Sequence, residues 1–408
     1  MNGSASVRMA YLVSRYPAVS HTFILREVLA LRALGISIHV ASINEPVALT
    51  QEERDEAGRT YYVKRDGTAR AILGQLTFLA ASPLAYLRAL FFALRLGRSD
   101  LRALLYQLFY FAEAVLVARW MERQALKHLH VHFATPAASV ALIVTHLRPV
   151  TMSITVHGPD EFDDVSGYQL REKIAGAKFL CAIGNFARSQ LMKLSSPEYW
   201  ERFDVVPLGV NPARFTPRPD PGDAAPFEIL CVGRLVAAKG QHVLLAAAGR
   251  LQAEGRNILV RLIGDGPDRA SLERDAARRG LGQSVKFEGA VSQDRIVDFY
   301  RQAGIFALPS FAEGIPVVLM EAMAMEIPCV TTFVNGIPEL IRDASDGLLV
   351  PPSDDVALAA AIARLMDDRT LRRRLGASAR LRVVERYNLA PNAERLADTF
   401  RRRLEVRG

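Results

Sequence analysis

Cysteine is scarce in this chain: Cys181, Cys231 and Cys329 lie far apart among 408 residues, without paired spacing. They match neither a zinc site nor a disulfide framework, and they point to a reducing cytoplasm. No Asp-x-Asp pair stands at a strand end to hold a divalent ion on a diphosphate, and nothing resembles a nucleophile with its activating base, whether Ser–His or Cys–His. Internal repeats and low-complexity tracts are missing as well. The apolar core Tyr11 to Val13 is too short for a leader peptide and reads as a first strand. The uncharged run Ala71 to Leu87 contains Gln75, Ser82 and Pro83 and spans seventeen residues. A membrane-spanning helix needs about twenty, mainly apolar.

What is present is an ordinary globular mix, half hydrophobic and 23% charged, long enough for two domains or three at most. The charge is unevenly placed. Residues 59 to 148 carry twelve basic and four acidic side chains, an excess equal to the net +8 of the whole chain. Phe78, Phe91, Phe92, Tyr106, Phe109, Tyr110 and Phe111 lie in the same region among many leucines. A basic, apolar, helical surface suits peripheral attachment to anionic lipid on the inner face of the plasma membrane. The alternative is an apolar face packed on the N-terminal domain with solvated arginines. Nucleic acid is not favoured, because no recognised motif accompanies the charge.

Strands are expected at Met9 to Val13, Ile36 to Ile43, His128 to Phe133, Met152 to Val156 and Phe179 to Ile183, with helical stretches between. This alternation implies a mainly parallel sheet covered by helices. Arg214 to Pro226 holds four prolines and reads as a linker. A second α/β unit follows, with strands at Glu228 to Val232, Leu259 to Ile263, Val285 to Glu288, Ile305 to Leu308, Cys329 to Thr332 and Gly347 to Val350. The expected division is a first domain 1–208 completed by about 391–408, a linker 209–226, and a second domain 227–390. The last helix, about Pro391 to Val406, falls outside the βα rhythm and would cross back to the first domain.

Glu313-Gly314-Ile315-Pro316-Val317-Val318-Leu319-Met320-Glu321 sets two carboxylates around a turn that leads into a helix. Pro316 suits a first helical turn. Glu313 would lie on the loop and Glu321 inside the helix, roughly 10–12 Å apart, about the length of a nucleotide sugar. Free amides and the positive end of the helix dipole between them favour a diphosphate. Gly233-Arg234 to Lys239-Gly240 follows the first strand of the second half. There Arg234 and Lys239 would point into a cleft and neutralise a leaving diphosphate. Gly264 and Gly266, in Ile263-Gly-Asp-Gly-Pro267, supply a turn beside the nucleobase; Pro267 breaks any likeness to a dinucleotide fingerprint.

In the first half, His157 and Asp160 follow a strand, where His157 could hydrogen-bond a sugar hydroxyl. Ser20, His21 and Thr22 precede a helix that Ser20 and Thr22 can cap, forming a loop for phosphate or acceptor. His128, His130 and His132 share one strand face, but no carboxylate or cysteine joins them nearby. His130 or His132 is therefore read as lining the acceptor side, and no metal is expected.

Together these segments resemble the family-4 glycosyltransferases, two-domain retaining enzymes of the GT-B fold. The resemblance covers nearly the whole chain. It rests on Gly233 to Gly240, Glu313 to Glu321, Gly336-Ile-Pro-Glu-Leu340, Asp346 to Asp354 and Val206 to Phe215. The opening loop looks like the exopolysaccharide and colanic-acid branch, where the position before Thr22 is often glutamate rather than His21. The resemblance implies two Rossmann-like domains facing across a cleft, 1–208 as the N-terminal acceptor-binding domain and 227–390 as the C-terminal nucleotide-sugar-binding domain. It also implies metal-independent transfer of a sugar from a UDP- or GDP-sugar to a sugar or lipid-linked acceptor, with no other cofactor. Arg234 and Lys239 would stabilise the departing nucleoside diphosphate. Glu313 and the backbone of Gly314 to Val317 would hold the sugar, Glu321 the ribose, and His157 would sit beside the sugar. Two other readings use the same scaffold: a nucleotide-sugar 2-epimerase, whose motifs differ from these, and a non-catalytic sugar-nucleotide-binding or membrane-scaffold protein.

Overall fold

The computed structural model of the chain describes residues 7–18, 21–46, 50–65, 67–97, 100–219 and 226–404. They form two units, Met1–Val206 with Ala393–Gly408, and Pro207–Asn392. The first is built on seven strands: β1 (Arg8–Arg15), β2 (Ser37–Asn44), β3 (Tyr61–Tyr62), β4 (His128–His132), β5 (Thr151–Val156), β6 (Phe179–Ala182) and β7 (Phe203–Val205). Their order is β3-β2-β1-β4-β5-β6-β7, with every pair parallel. The short β3 and β7 are the two strands the sequence pattern does not show.

Successive side chains on a strand point to opposite faces, and β1 divides accordingly. Ala10 and Leu12 enter one core with Leu129, Val131, Met152 and Ile154. Met9, Tyr11 and Val13 enter the other with Ile24, Val28 and Phe400. On β4 and β5 this second face is polar: His128, His130 and His132 stand in register with Thr151, Ser153 and Thr155. A sheet covered on both faces usually reads as continuous apolar runs. Here a buried polar stripe replaces one of them.

The second unit holds β8 (Phe227–Val232), β9 (Ile258–Ile263), β10 (Val285–Gly289), β11 (Ile305–Leu308), β12 (Cys329–Thr332) and β13 (Leu348–Val350). They run in the order β10-β9-β8-β11-β12-β13, again all parallel. Both sheets thus have the Rossmann-like order, in which the chain starts at the centre and reverses direction across the sheet.

The described part of the proline-rich stretch belongs to the second unit. Phe215 is fully buried, edge-on to Tyr300 at 6.2 Å, and Arg214 donates to the Gln293 carbonyl at 2.9 Å. The segment read as a free linker is therefore packed down at its start. The last helix, Leu389–Leu404, returns to the first unit. There Leu396, Ala397 and Phe400 join the core, with Phe400 5.0 Å from His130 and 6.1 Å from Phe179.

Three helices stand between β3 and β4: Gly67–Ala81, Pro83–Gly97 and Leu101–Arg123. The first two bend by 120° at the Ser82–Pro83 break, where proline cannot continue a helix. Leu101–Arg123 is long and apolar enough to cross a membrane by length and composition. However, Phe111, Ala114, Val115, Val117, Ala118 and Met121 are buried in the first core, so its second half is tied into the domain.

Candidate functional site

In the second unit three loops at the carboxyl ends of the strands meet. After β8 the chain runs through Gly233 to a short turn, Ala237–Lys239. After β9 comes Gly264-Asp-Gly266, whose glycines have a steric reason. A Cβ on Gly264 would lie 2.0 Å from the Gly233 carbonyl oxygen, and one on Gly266 2.2 Å from that of Leu235. Those spacings admit only glycine. Gly264 and Gly266 therefore hold the Arg234 loop at backbone contact, a packing role that the reading as a nucleobase turn does not include.

After β11, Ser310 to Pro316 leads into the helix Val317–Ala324, with Pro316 at its cap. The amides of Leu319 and Met320 close the first turn on the Pro316 carbonyl. The amides before them are first-turn donors without an intrahelical acceptor. Lys239 Nζ lies 2.6 Å from Glu313 Oε1, and Ser310 Oγ donates to that same oxygen at 2.7 Å. Glu313 is only 6% exposed, so its charge needs these partners. Its Oε2 has no hydrogen bond among the described residues. Thr332 Oγ1 donates to the Ser310 carbonyl at 2.5 Å, fixing the loop to β12. The structure thus joins two residues that lie 74 positions apart in the sequence.

Arg234 is exposed on the same loop as Lys239. Glu321 is buried and accepts from the Tyr300 hydroxyl at 3.0 Å. Gly314 is pressed against Gly336, where a Cβ would lie 2.2 Å from the Gly314 oxygen. Ile315 is buried and Val317 opens the helix. Asp346 is fully buried just before β13, accepting from Arg342 Nε at 2.7 Å and Ser378 Oγ at 2.8 Å. All three thiols are buried and unpaired, and burial pushes that of Cys231 up to about 12.

In the first unit, His157 follows β5 and is buried between Phe133 and Phe23, 4.3 Å and 5.0 Å away between ring centres. Its Nε2 lies 3.0 Å from His132 Nδ1. His132 reaches Glu27 Oε1 at 3.1 Å with its other nitrogen. So a carboxylate does join the histidine face, contrary to the expectation from sequence, and it comes from the helix Thr22–Ala33. Glu27, His130 and His132 have the makings of a metal cluster, yet their ring nitrogens are already partnered. His130 meets Ser153 Oγ at 2.7 Å and Thr155 Oγ1 at 3.0 Å, while both nitrogens of His132 are engaged as above. In this arrangement those nitrogens are engaged by the protein's own groups. His132 is also too buried to line an acceptor surface, at 1% exposure.

The helix after β1 begins at Thr22 with His21 as its cap and no side-chain cap hydrogen bond. Thr22 is therefore not a cap, and Ser20 lies outside the described residues. Asp160 is exposed, whereas its neighbour Glu161, which the sequence reading passed over, turns inward. Glu161 accepts from the amides of His157 and Ala134 at 2.5 Å and Gly158 at 2.9 Å. It thereby ties the loop after β4 to the loop that carries His157. Lys173, fully buried, donates to the Ala134 and Thr135 carbonyls at 2.7 and 3.1 Å. Burial pushes Glu161 up to about 7 and Lys173 down to about 7, each partly offset by the other's charge.

Residues 218–382 match the family model for glycosyl transferases group 1. A putative colanic acid biosynthesis glycosyltransferase of Escherichia coli K12 is 37% identical over 187 residues. That alignment takes in 44% of this chain and 46% of the relative, so less than half of that protein's length is matched. Its Salmonella typhimurium LT2 counterpart is 27% identical over 88% of this chain and 90% of its own. Among solved structures, Anabaena HepE in complex with UDP-glucose is 16% identical with a TM-score of 0.74. The match covers 96% of this chain and 98% of that one, a likeness of fold. The architecture is that of the GT-B glycosyltransferases.

The buried histidines make the first unit acid-sensitive. Burial lowers His128 to about 3, and lowers His130 and His157 well below the ordinary value. Unfolded, each takes a proton near about pH 6.5, so below that pH the unfolded chain binds more protons and stability falls as pH falls. Glu161, raised to about 7, opposes this by one proton. The net uptake of about two protons corresponds to roughly 2.7 kcal/mol per pH unit. Urea unfolding followed from about pH 7 to about pH 5 should show this decline; a flat profile would contradict it.

Proposed function

On the premise that residues 218–382 of this chain form a glycosyl transferases group 1 domain, we propose that the protein is a retaining, metal-independent glycosyltransferase. It moves a hexose from a UDP- or GDP-sugar to a lipid-linked or polysaccharide acceptor in surface polysaccharide synthesis. The observation that carries this reading is the 2.6 Å pair of Lys239 and Glu313 beside the start of the helix Val317–Ala324. An ammonium, the exposed Arg234 guanidinium and first-turn amides together suit a diphosphate. Glu313 Oε2 and the backbone from Gly314 to Val317 hold hydroxyls of the sugar, and Glu321 reaches the ribose.

Departure of the diphosphate builds negative charge that Arg234 and Lys239 stabilise. Retention follows from same-face attack, in which an oxygen of the leaving diphosphate helps to deprotonate the acceptor hydroxyl. The protein's part is then positioning and charge stabilisation rather than covalent chemistry. The cationic pair supplies the charge a divalent ion would otherwise bring. The polysaccharide context comes from the relatives' names and from the opening loop. Lys239→Ala should lower turnover by about 10²-fold, the scale of losing a transition-state charge partner. The check is nucleoside diphosphate release on the active donor, and turnover equal to wild type would overturn the reading.

Acceptors of this kind reside in membranes, and the three helices between β3 and β4 favour peripheral attachment at the cytoplasmic face. Each shows solvent one apolar stripe at helical spacing: Ile72, Leu73 and Leu76; Leu84, Leu87 and Phe91; Leu101, Leu105 and Phe109. Leu84 is 84% exposed and Phe91 70%. Exposed apolar surface on this scale marks an interaction site, and exposed Arg70, Arg88, Arg95 and Arg102 among the stripes suit an anionic bilayer. Burying such a side chain is worth about 1.5–3 kcal/mol, against about 1 kcal/mol per basic residue. The protein should therefore float with anionic liposomes and survive a salt wash better than a purely electrostatic binder. Phe91→Glu with Phe109→Glu should abolish flotation. Wild-type protein staying at the bottom of the gradient at low salt would rule the surface out.

A further inference from the structure

Phe133 is the one aromatic residue among those described that stands in the left-handed region, at φ 67°. A bulky side chain is strained there and persists only where its surroundings leave it no alternative; such residues gather at functional sites. The backbone of Phe133 is fixed on both sides. Its own amide bonds the Thr155 carbonyl at 2.9 Å. The next amide, that of Ala134, donates to Glu161 at 2.5 Å, and the Ala134 and Thr135 carbonyls accept from Lys173 Nζ at 2.7 and 3.1 Å. Glu161 and Lys173 are both buried, which is costly for such groups. What they hold is Ala134, by its N–H and its C=O.

The ring held in this way is half-buried and meets three others. Phe133 lies 4.3 Å from His157, 5.0 Å from His21 and 6.3 Å from Phe23 between ring centres. His21 and Phe23 follow β1, Phe133 follows β4 and His157 follows β5, three adjacent strands. The four rings therefore lie at the carboxyl edge, where open parallel sheets bind their ligands. His21 and Phe23 are half-buried as well. Aromatic faces left partly in water suit a ligand with one apolar face and a polar rim. A sugar ring is such a ligand, with C–H bonds on its face and hydroxyls around its edge. The groups read as holding the nucleotide sugar, Lys239, Glu313 and Glu321, all belong to the second unit. The substrate left for the first is the acceptor.

We propose that Glu161 and Lys173 hold Phe133 in its left-handed conformation so that its ring is the surface on which a sugar ring of the acceptor packs. Phe133 touches the substrate; Glu161 and Lys173 are positioning residues that act through it. Assigning the packed sugar to the acceptor rests on the transferase reading, whereas the hold on the backbone does not. A packing surface of this kind acts on binding. Its loss is read in KM for the acceptor and not in KM for the donor.

Two measurements on the full chain need no substrate. Phe133→Gly and Phe133→Ala both delete the ring, so the difference between them reads the backbone alone. At an ordinary position alanine is the more stable of the two. Here Phe133→Gly should unfold at the higher urea concentration, and the opposite order would overturn the proposal. Glu161→Gln presents an NH₂ where the carboxylate presents an oxygen. At least one of the Ala134, His157 and Gly158 amides should then exchange hydrogen about 10-fold faster or more. Lys173→Met, which frees the Ala134 and Thr135 carbonyls, should speed exchange at Ala134 in the same way and serves if Glu161→Gln does not fold. Unchanged exchange in the folded variants removes the pair from the role. With an active donor and acceptor, Phe133→Gly should raise the acceptor KM by about 10-fold, the upper end for an aromatic contact, and leave the donor KM within about twofold. Phe133→Tyr should restore the wild-type acceptor KM. Glu161→Gln should match Phe133→Gly, and the double variant should lose no more than either alone, because the two residues act as one. Equal rises in both KM values would refute the acceptor assignment, and additive losses would show that Glu161 does not act through Phe133. The stability and exchange measurements decide the backbone hold whether or not the protein transfers sugar, so its failure is told apart from that of the transferase reading.

Discussion

A lysine ammonium held 2.6 Å from a glutamate with almost no solvent access is the interaction around which the second unit is arranged. Such a pair is a poor means of gaining stability, because taking both charges out of water costs about as much as their attraction returns. Removing the lysine, however, leaves the Glu313 charge buried with one partner fewer. The loops must therefore stay where the pair can form. Gly264 and Gly266 let the β8 and β9 loops touch, Gly336 lets its own loop touch Gly314, and the amide of Phe311 bonds the Ala238 carbonyl at 2.8 Å. These contacts set cation, carboxylate and helix start side by side.

The first unit solves a related problem with different chemistry. Its loops after β4 and β5 are drawn together by one carboxylate, Glu161, which takes three backbone amides. Beneath them the face of β4 and β5 is a row of imidazoles and hydroxyls. His128 and His130 share Ser153, while His132 turns to Glu27 and His157. Polar networks in a core hold one arrangement when every member is satisfied. Here the one buried ring nitrogen without a hydrogen-bond partner among the described histidines belongs to His157, at the end nearest the loops.

Most strands of both sheets were legible because parallel strands covered on both faces read as unbroken apolar runs. Tyr61–Tyr62 and Phe203–Val205 are too short to carry that signal. Lys239 and Glu313 were legible as members of two motifs, each at a strand end, and topology brings such ends together. Glu27 was not, since 105 positions separate it from His132 and only the packing of a helix on the sheet unites them. Nor did anything in Asp160-Glu161 say which carboxylate turns inward. Phe215 shows the same limit: proline content marks irregular backbone, but it does not say whether that backbone is packed.

The central claim is that the Lys239–Glu313 pair works on a nucleotide sugar. The most direct measurement is release of nucleoside diphosphate across a panel of UDP- and GDP-sugars in EDTA, with wild type beside Glu313→Ala, and with thermal shift by each donor recorded in parallel. The account predicts slow release from one donor that persists in chelator and disappears in the variant. No release from any donor, together with no thermal shift by any of them, would contradict it and leave a protein that binds something else.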